Sequence, residues 1–205
     1  MEKYEPWFPY EGISQNRWAN RTDDLIKEFP IDMETIKNIV LESWHDIFTV
    51  TNENGDFHIG KTIFPKPQMM GFFLESLINQ KIKKIDPNIW LPDPTGYSKD
   101  IVNLQNDRYS LEIKTSSSSN NIYGNRSYAQ KSNNPKKSKD GYYLAVNYES
   151  FSNVKDDAQP CVTLIRFGYL NSTDWVAQKA NTGQQARIPA HIEKSKLKVI
   201  WKKEA

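Results

Sequence analysis

Apolar residues recur along this chain at two periods, and the places where the period changes divide it into elements. The first residues are aromatic without a regular period, so an irregular start is expected. Ile36, Ile39, Val40, Trp44 and Ile47 then share one helical face, with Asp32 as N-cap and the turn cluster 51–56 as the stop. Residues 57–64 alternate as a strand does until Pro65-Lys66-Pro67, after which a helix is expected over 68–84. Two short strands, 98–104 and 109–115, read as a hairpin about Gln105-Asn106-Asp107-Arg108. The stretch 116–140 is polar, rich in Ser and Asn, and long for a connection inside a compact domain; such segments are usually functional or disordered. The Val, Ile and Tyr content of 142–148 and 162–169 marks core strands. Residues 174–180 read as a short helix, and 196–202, where Lys alternates with Leu197, Val199 and Trp201, as a late edge strand.

At 205 residues and 38% hydrophobic content one domain is expected. A chain of this size buries about 70% of its unfolded surface and needs no disulfide or structural metal to hold a core. Cys161 has no cysteine to pair with, apolar runs stop far short of a membrane span, and the first residues lack a basic region followed by an apolar one. A reduced, cytoplasmic protein with no membrane partner is expected.

The net charge of +2 conceals an asymmetry, because residues 1–108 carry 12 Lys and Arg against 17 Asp and Glu whereas 109–205 carry 15 against 8. The basic half is the better candidate for a polyanion partner. Its cations are interleaved with Asn, Gln, Ser and Tyr and lack an apolar helical face, which suits nucleic acid better than a membrane surface. A solvated basic face would show the same charges.

Residues 55–62, Gly-Asp-Phe-His-Ile-Gly-Lys-Thr, fit the phosphate-loop pattern letter for letter, but context argues against it. That loop must open a helix whose amides face phosphate, and here Pro65 and Pro67 follow, while bulky Phe57, His58 and Ile59 alternate like a strand. His45, His58 and His191 lie far apart without metal-ligand spacing, and no G-x-S-x-G elbow occurs.

The hairpin carries the sharpest chemistry. Pairing about its turn sets Asp100 opposite Ile113 to within about one residue of register, between Glu112 and Lys114. Glu112 and Lys114 share one face of their strand while Leu111 and Ile113 take the other. Two close carboxylates raise each other's pKa unless a cation or the lysine compensates. Oxygen ligands of this kind suit Mg²⁺, which keeps several waters and takes one or two carboxylates. On the preceding helix, Glu75 shares a stripe with Gly71, Ile78 and Ile82, where a lone acid is costly unless paired or metal-bound. A salt-bridged surface hairpin and a border glutamate would show the same residues.

The order of acid-bearing helix, acid-led strand, tight turn, E-x-K strand, polar loop and core strand resembles the PD-(D/E)XK nuclease superfamily. Residues 121–130, Asn-Ile-Tyr-Gly-Asn-Arg-Ser-Tyr-Ala-Gln, together with Asp174-Trp175-Val176-Ala177-Gln178 and Thr182-Gly183-Gln184-Gln185-Ala186-Arg187, resemble ScaI-type type II restriction endonucleases. The family's Pro-Asp would fall on Pro92-Asp93, yet Asp93 precedes a proline and a glycine-containing turn; the acidic role is therefore placed on Asp100, with Asp93 as the competing assignment.

The resemblance implies an α/β fold with a mixed central β-sheet flanked by helices. It implies one nuclease domain over 1–205, with an N-terminal helical and strand region over 1–67, a catalytic core over 68–150 and a C-terminal DNA-binding and sheet-edge region over 151–205. Asp100 and Glu112 would hold Mg²⁺ with the Ile113 carbonyl, Lys114 would orient and polarise the attacking water, and Glu75 would hold a second cation or a cation-bound water. Asn120, Asn121, Asn125, Arg126, Gln130, Gln184, Gln185 and Arg187 are the expected base readers, since Asn and Gln match adenine and Arg matches guanine in the major groove. Lys131, Lys136, Lys137 and Lys139 are expected at phosphates. The implied partners are double-stranded DNA, a second copy of the chain in a homodimer, and a DNA methyltransferase acting on the same site. A repair or junction-resolving nuclease that selects DNA shape, and a DNA-binding module without catalysis, are the competing readings.

Overall fold

The computed structural model describes residues 7–93, 95–96, 98–130, 138–155, 158–180 and 182–204. Four helices flank a six-stranded mixed sheet: α1 (Trp18–Glu28), α2 (Met33–Ile47), α3 (Pro67–Ile85) and α4 (Ala190–Lys196). The sheet order is β1 (Trp90–Pro92), β2 (Ile101–Asn103), β3 (Leu111–Ser116), β5 (Gly141–Tyr148), β6 (Val162–Leu170), β9 (Leu197–Lys202). Only the β3 and β5 pair is parallel; the other neighbours are antiparallel. A second sheet joins β4 (Tyr123–Asn125), β8 (Gln185–Arg187) and β7 (Val176–Ala177) in that order. The expected α/β class with a mixed, helix-flanked sheet is the observed one.

Where the apolar stripe is dense, sequence and structure agree. The Asp32 carboxylate caps α2 by accepting the Thr35 amide at 2.9 Å, and Ile36, Ile39, Val40, Trp44 and Ile47 are buried. Pro67 occupies the first turn of α3, where its missing N–H costs nothing. Every residue of β5 is buried, as befits a strand near the centre of a sheet covered on both sides. The predicted late strand, β9, is an edge of the large sheet.

Three expectations fail for local reasons, and the polar stretch proves to hold a strand. Residues 57–64 form a tight turn rather than a strand: the His58 carbonyl accepts the amides of Lys61, Thr62 and Ile63, and Gly60 takes φ +84°, leaving only isolated bridges at 51–58 and 59–63. The phosphate-loop pattern lies in this turn and does not open a helix. Residues 174–180 are not helical, because the Asn171 amide is held by Asp174 Oδ2 in a closed turn and the chain leaves it as β7. The start is not wholly irregular, since α1 forms there with only Thr22 and Leu25 fully buried. The polar stretch after β3 contributes β4, whose buried centre is glycine, and pairs it with β8.

Gly71 sets the distance between α3 and the sheet. A Cβ there would stand 2.6 Å from Thr115 Oγ1 and 3.2 Å from Tyr148 Oη, so glycine lets the helix approach β3 and β5 closely. One turn later the same helix presents Glu75.

Candidate active site

The β2 and β3 hairpin is built by its turn. Asn103 Oδ1 accepts the amides of Gln105 and Asn106, Asn106 Oδ1 accepts that of Arg108, and Ser110 Oγ bridges the Asn103 amide and Asp107. Ile101 pairs with Leu111, which carries Asp100 beside Glu112, within the expected one-residue margin. Asp100 Oδ2 accepts the Ile113 amide at 2.6 Å. Lys114 Nζ donates to Glu112 Oε1 at 2.7 Å and to the Ile113 carbonyl at 3.0 Å. The hairpin therefore brings Asp100, Glu112, Ile113 and Lys114 together.

Asp93 is used differently. Its Oδ1 accepts from the amide and hydroxyl of Thr95 and its Oδ2 from the Ser98 amide, which fits a residue closing the loop between β1 and β2.

Burial raises the cost of charge throughout this cluster. Together with the neighbouring Glu112 and Glu75 charges it pushes Asp100 from 3.8 up to about 7, against the pull of Lys114 and the Ile113 amide. Burial alone would raise Glu112 too, but Lys114 and Lys99 overcome it and bring that carboxyl down to about 2. Desolvation also pushes Glu75 up, with Lys114 opposing and Glu112 adding to the rise. For Lys114 the same burial is outweighed, first by Glu112, and the ammonium is held protonated.

The donor set fits one small, hard cation. Asp100 is left with a proton near neutrality, a state that a divalent charge beside both carboxylates would reverse. Among the described residues no three His, Cys, Asp or Glu side chains form a metal-holding group. Mg²⁺ does not require one, because it uses one or two carboxylates and completes its shell with water and phosphate.

Two of the base-reading candidates, Asn125 and Gln185, adjoin this hairpin. In the small sheet Tyr123 pairs with Arg187 and Asn125 with Gln185; all four are exposed, and Gly124 and Ala186 between them are buried. A cavity of about 200 Å³ is lined by Lys114, Tyr123, Gly124, Asn125, Tyr128 and Gln185, so this ribbon adjoins the lysine. Asn120, Asn121, Gln130 and Gln184 are also exposed. The Asn120 carbonyl accepts Arg166 Nη2 at 2.6 Å and the Asn121 carbonyl accepts Asn147 Nδ2 at 3.0 Å, which fixes that loop. Arg126 is committed to structure, with Nη1 on the carbonyls of Ala180 and Gly183 at 3.3 and 3.2 Å. Lys139 Nζ lies 4.4 Å from the Tyr128 ring centroid. Lys131, Lys136 and Lys137 lie outside the described residues. A larger cavity, about 710 Å³, opens by α1, α4 and β9 and meets this region only at Asn120 and Asn121.

Sequence reasoning missed two neighbours of Glu112. Tyr128 donates its hydroxyl to Glu112 Oε1, and Lys99, whose Nζ donates to the Ser138 carbonyl at 2.8 Å, adds positive charge nearby. Tyr128 comes from a separate element 16 residues along the chain, whereas Lys99 stands next to Asp100 in the hairpin and acts on Glu112 through its charge. The one local hint at Tyr128 was an aromatic residue inside a polar stretch.

A mixed sheet with an acidic hairpin, an adjoining lysine and an acid-bearing helix defines a restriction-endonuclease-like nuclease. Residues 8–201 match the ScaI restriction endonuclease family. The chain is 43% identical over 195 residues to the type II restriction enzyme ScaI of Streptomyces caespitosus, covering 94% of this chain and 84% of that protein. The protein belongs to the ScaI restriction endonuclease family. No solved structure matches the chain.

Proposed function

We propose that the protein is a type II restriction endonuclease, a Mg²⁺-dependent homodimer that hydrolyses phosphodiester bonds in double-stranded DNA at a short palindromic site. The observation that carries this reading is the convergence of Asp100, Glu112 and Lys114 on one hairpin beside the exposed β4 and β8 ribbon. Family membership favours it over a shape-selecting repair nuclease and over a module without catalysis.

Asp100, Glu112 and the Ile113 carbonyl would hold Mg²⁺, with Glu75 adding negative charge from α3 and serving any second cation. When bound, the ion supplies charge neutralisation at the phosphodiester and a lowered pKa for water. Lys114, held by Glu112 and the Ile113 carbonyl, orients the attacking water in line with the scissile bond. Partial burial keeps these charges effective, because Coulomb terms weaken as water enters.

Asn125, Gln185 and Arg187 on the ribbon, with Asn120, Asn121, Gln130 and Gln184 beside it, offer the donors and acceptors that distinguish base edges. Lys139 and the lysines of the preceding segment supply phosphate contacts. Arg126 serves by clamping the Ala180 and Gly183 carbonyls. One hairpin per chain cuts one strand, so two chains related by a two-fold axis cut both and read identical half-sites. A methyltransferase of the same specificity would protect the cell's own DNA.

The test is incubation of the purified protein with supercoiled plasmid, with Mg²⁺ or with EDTA, followed by sequencing of fragment ends. Discrete fragments sharing one palindromic end sequence, formed only with Mg²⁺, are expected. Cleavage in EDTA, or ends without a common sequence, would overturn the reading.

A further inference from the structure

Tyr128 sits where the acidic hairpin meets the ribbon. Its hydroxyl donates to Glu112 Oε1, the oxygen that also receives Lys114 Nζ. Among the described residues both hydrogen bonds to this carboxylate fall on Oε1 and none on Oε2. The Tyr128 ring lies 5.0 Å from Lys114 Nζ and packs on Trp175 with centroids 4.9 Å apart. It also presses on β4: a Cβ at Gly124 would stand 2.8 Å from the ring. Gly124 is flanked by exposed Tyr123 and Asn125, and Tyr128 itself lies in the 3-10 turn that follows β4 (Arg126–Ala129). Burial holds the hydroxyl protonated well past neutrality, so it remains a donor.

Resting on the catalytic role proposed above for Glu112, we propose that Tyr128 is a positioning residue that ties the β4 and β8 ribbon to the Glu112 carboxylate, so that DNA seated on the ribbon sets the orientation of Glu112 and Lys114. The physical basis is contact at both ends. The hydroxyl fixes the rotation of a carboxylate in a buried site, and the ring has no room to shift while Gly124 stays in place. Groups that orient a metal-ligating carboxylate typically contribute about 10- to 100-fold to metal affinity or activity. A tyrosine that only filled the core would lose little when its hydroxyl alone was removed.

The experiment compares wild type, Tyr128→Phe, Gly124→Ala and Glu112→Ala on plasmid DNA that the wild type cuts. Single-turnover cleavage is followed against Mg²⁺ concentration, DNA binding is measured in Ca²⁺, and folding is monitored by thermal midpoint. Tyr128→Phe should need about 10-fold more Mg²⁺ for half-maximal rate and cut about 10- to 100-fold more slowly below saturation. Its Ca²⁺-supported binding and thermal midpoint should stay close to wild type. Gly124→Ala, which displaces the ring and keeps the hydroxyl, should give the same kinetic pattern, and the double variant should be no worse than the more affected single variant. An unchanged Mg²⁺ requirement in either folded single variant, with Glu112→Ala inactive, overturns the inference alone. Wild-type cleavage by Glu112→Ala overturns the catalytic assignment on which it rests.

Discussion

Asp100 and Glu112 stand side by side at the end of one hairpin and hold their protons oppositely: Asp100 is pushed up to about 7 and Glu112 is brought down to about 2. The lysine explains the split. Lys114 bonds directly to Glu112, while Asp100 receives only a backbone amide. A site in this state has one carboxylate ready for a cation and one that must release a proton to receive it.

Stability should follow that proton. Between about pH 4 and 7 the folded metal-free protein keeps a proton on Asp100 that the unfolded chain has released, so its stability falls as pH rises through this window. Asp100→Asn removes the titration and keeps an acceptor for the Ile113 amide. In EDTA its urea midpoint should gain on wild type progressively from pH 5 to 8; a difference independent of pH would contradict the assignment.

Gly71 should prove intolerant of a methyl group. Gly71→Ala places a Cβ against Thr115 Oγ1 and should cost about 1–3 kcal/mol, with a loss of activity as Glu75 is displaced. Thr115→Ala in the same chain should recover part of that stability, which a double-mutant cycle by urea unfolding would measure.

A buried pair outside the hairpin should affect stability. Lys196 Nζ lies 2.7 and 2.9 Å from the two Asp174 oxygens and faces the rings of Tyr10 and Trp18 at 4.3 and 4.4 Å. Lys196→Ala leaves Asp174 buried without its counter-charge, held by the Asn171 amide, and should cost about 3–5 kcal/mol. Its Mg²⁺ requirement, measured on the folded fraction, should match wild type.

The ribbon should show itself in salt and sequence. Arg187→Ala should relax discrimination between sites, whereas Lys139→Ala should weaken binding to all sequences and make the salt dependence of binding shallower by about one unit in log–log slope. Filter binding of specific and unrelated duplexes over a salt series separates the two.

How much was legible depended on burial density. Helices α2 and α3 announce themselves by apolar residues at a helical period, β5 and β6 by nearly continuous buried runs rich in Val, Ile, Leu and Tyr, and the hairpin by its turn residues. Helix α1 fully buries only Thr22 and Leu25, and α4 buries Glu193 and Lys196 beside Ile192, so neither presents an apolar stripe to read. The ribbon was hidden because its buried residues are Gly124 and Ala186, which carry almost no hydrophobic signal. Asp100, Glu112 and Lys114 were readable because a tight turn makes their proximity local. Lys99 lies beside Asp100 on the same hairpin and was equally local, whereas Tyr128 reaches Glu112 through tertiary packing, which no spacing encodes.

Single-turnover cleavage of plasmid DNA by Asp100→Ala, Glu112→Ala and Lys114→Ala shows whether one hairpin does the cutting. The thermal midpoint serves as the control for folding, since binding in Ca²⁺ would draw on the same Asp100 and Glu112 oxygens. Each folded variant should cut DNA at least about 100- to 1,000-fold more slowly than wild type, as expected when preorganised charge is removed from a reacting phosphate. Cleavage by Glu112→Ala at the wild-type rate would contradict the account.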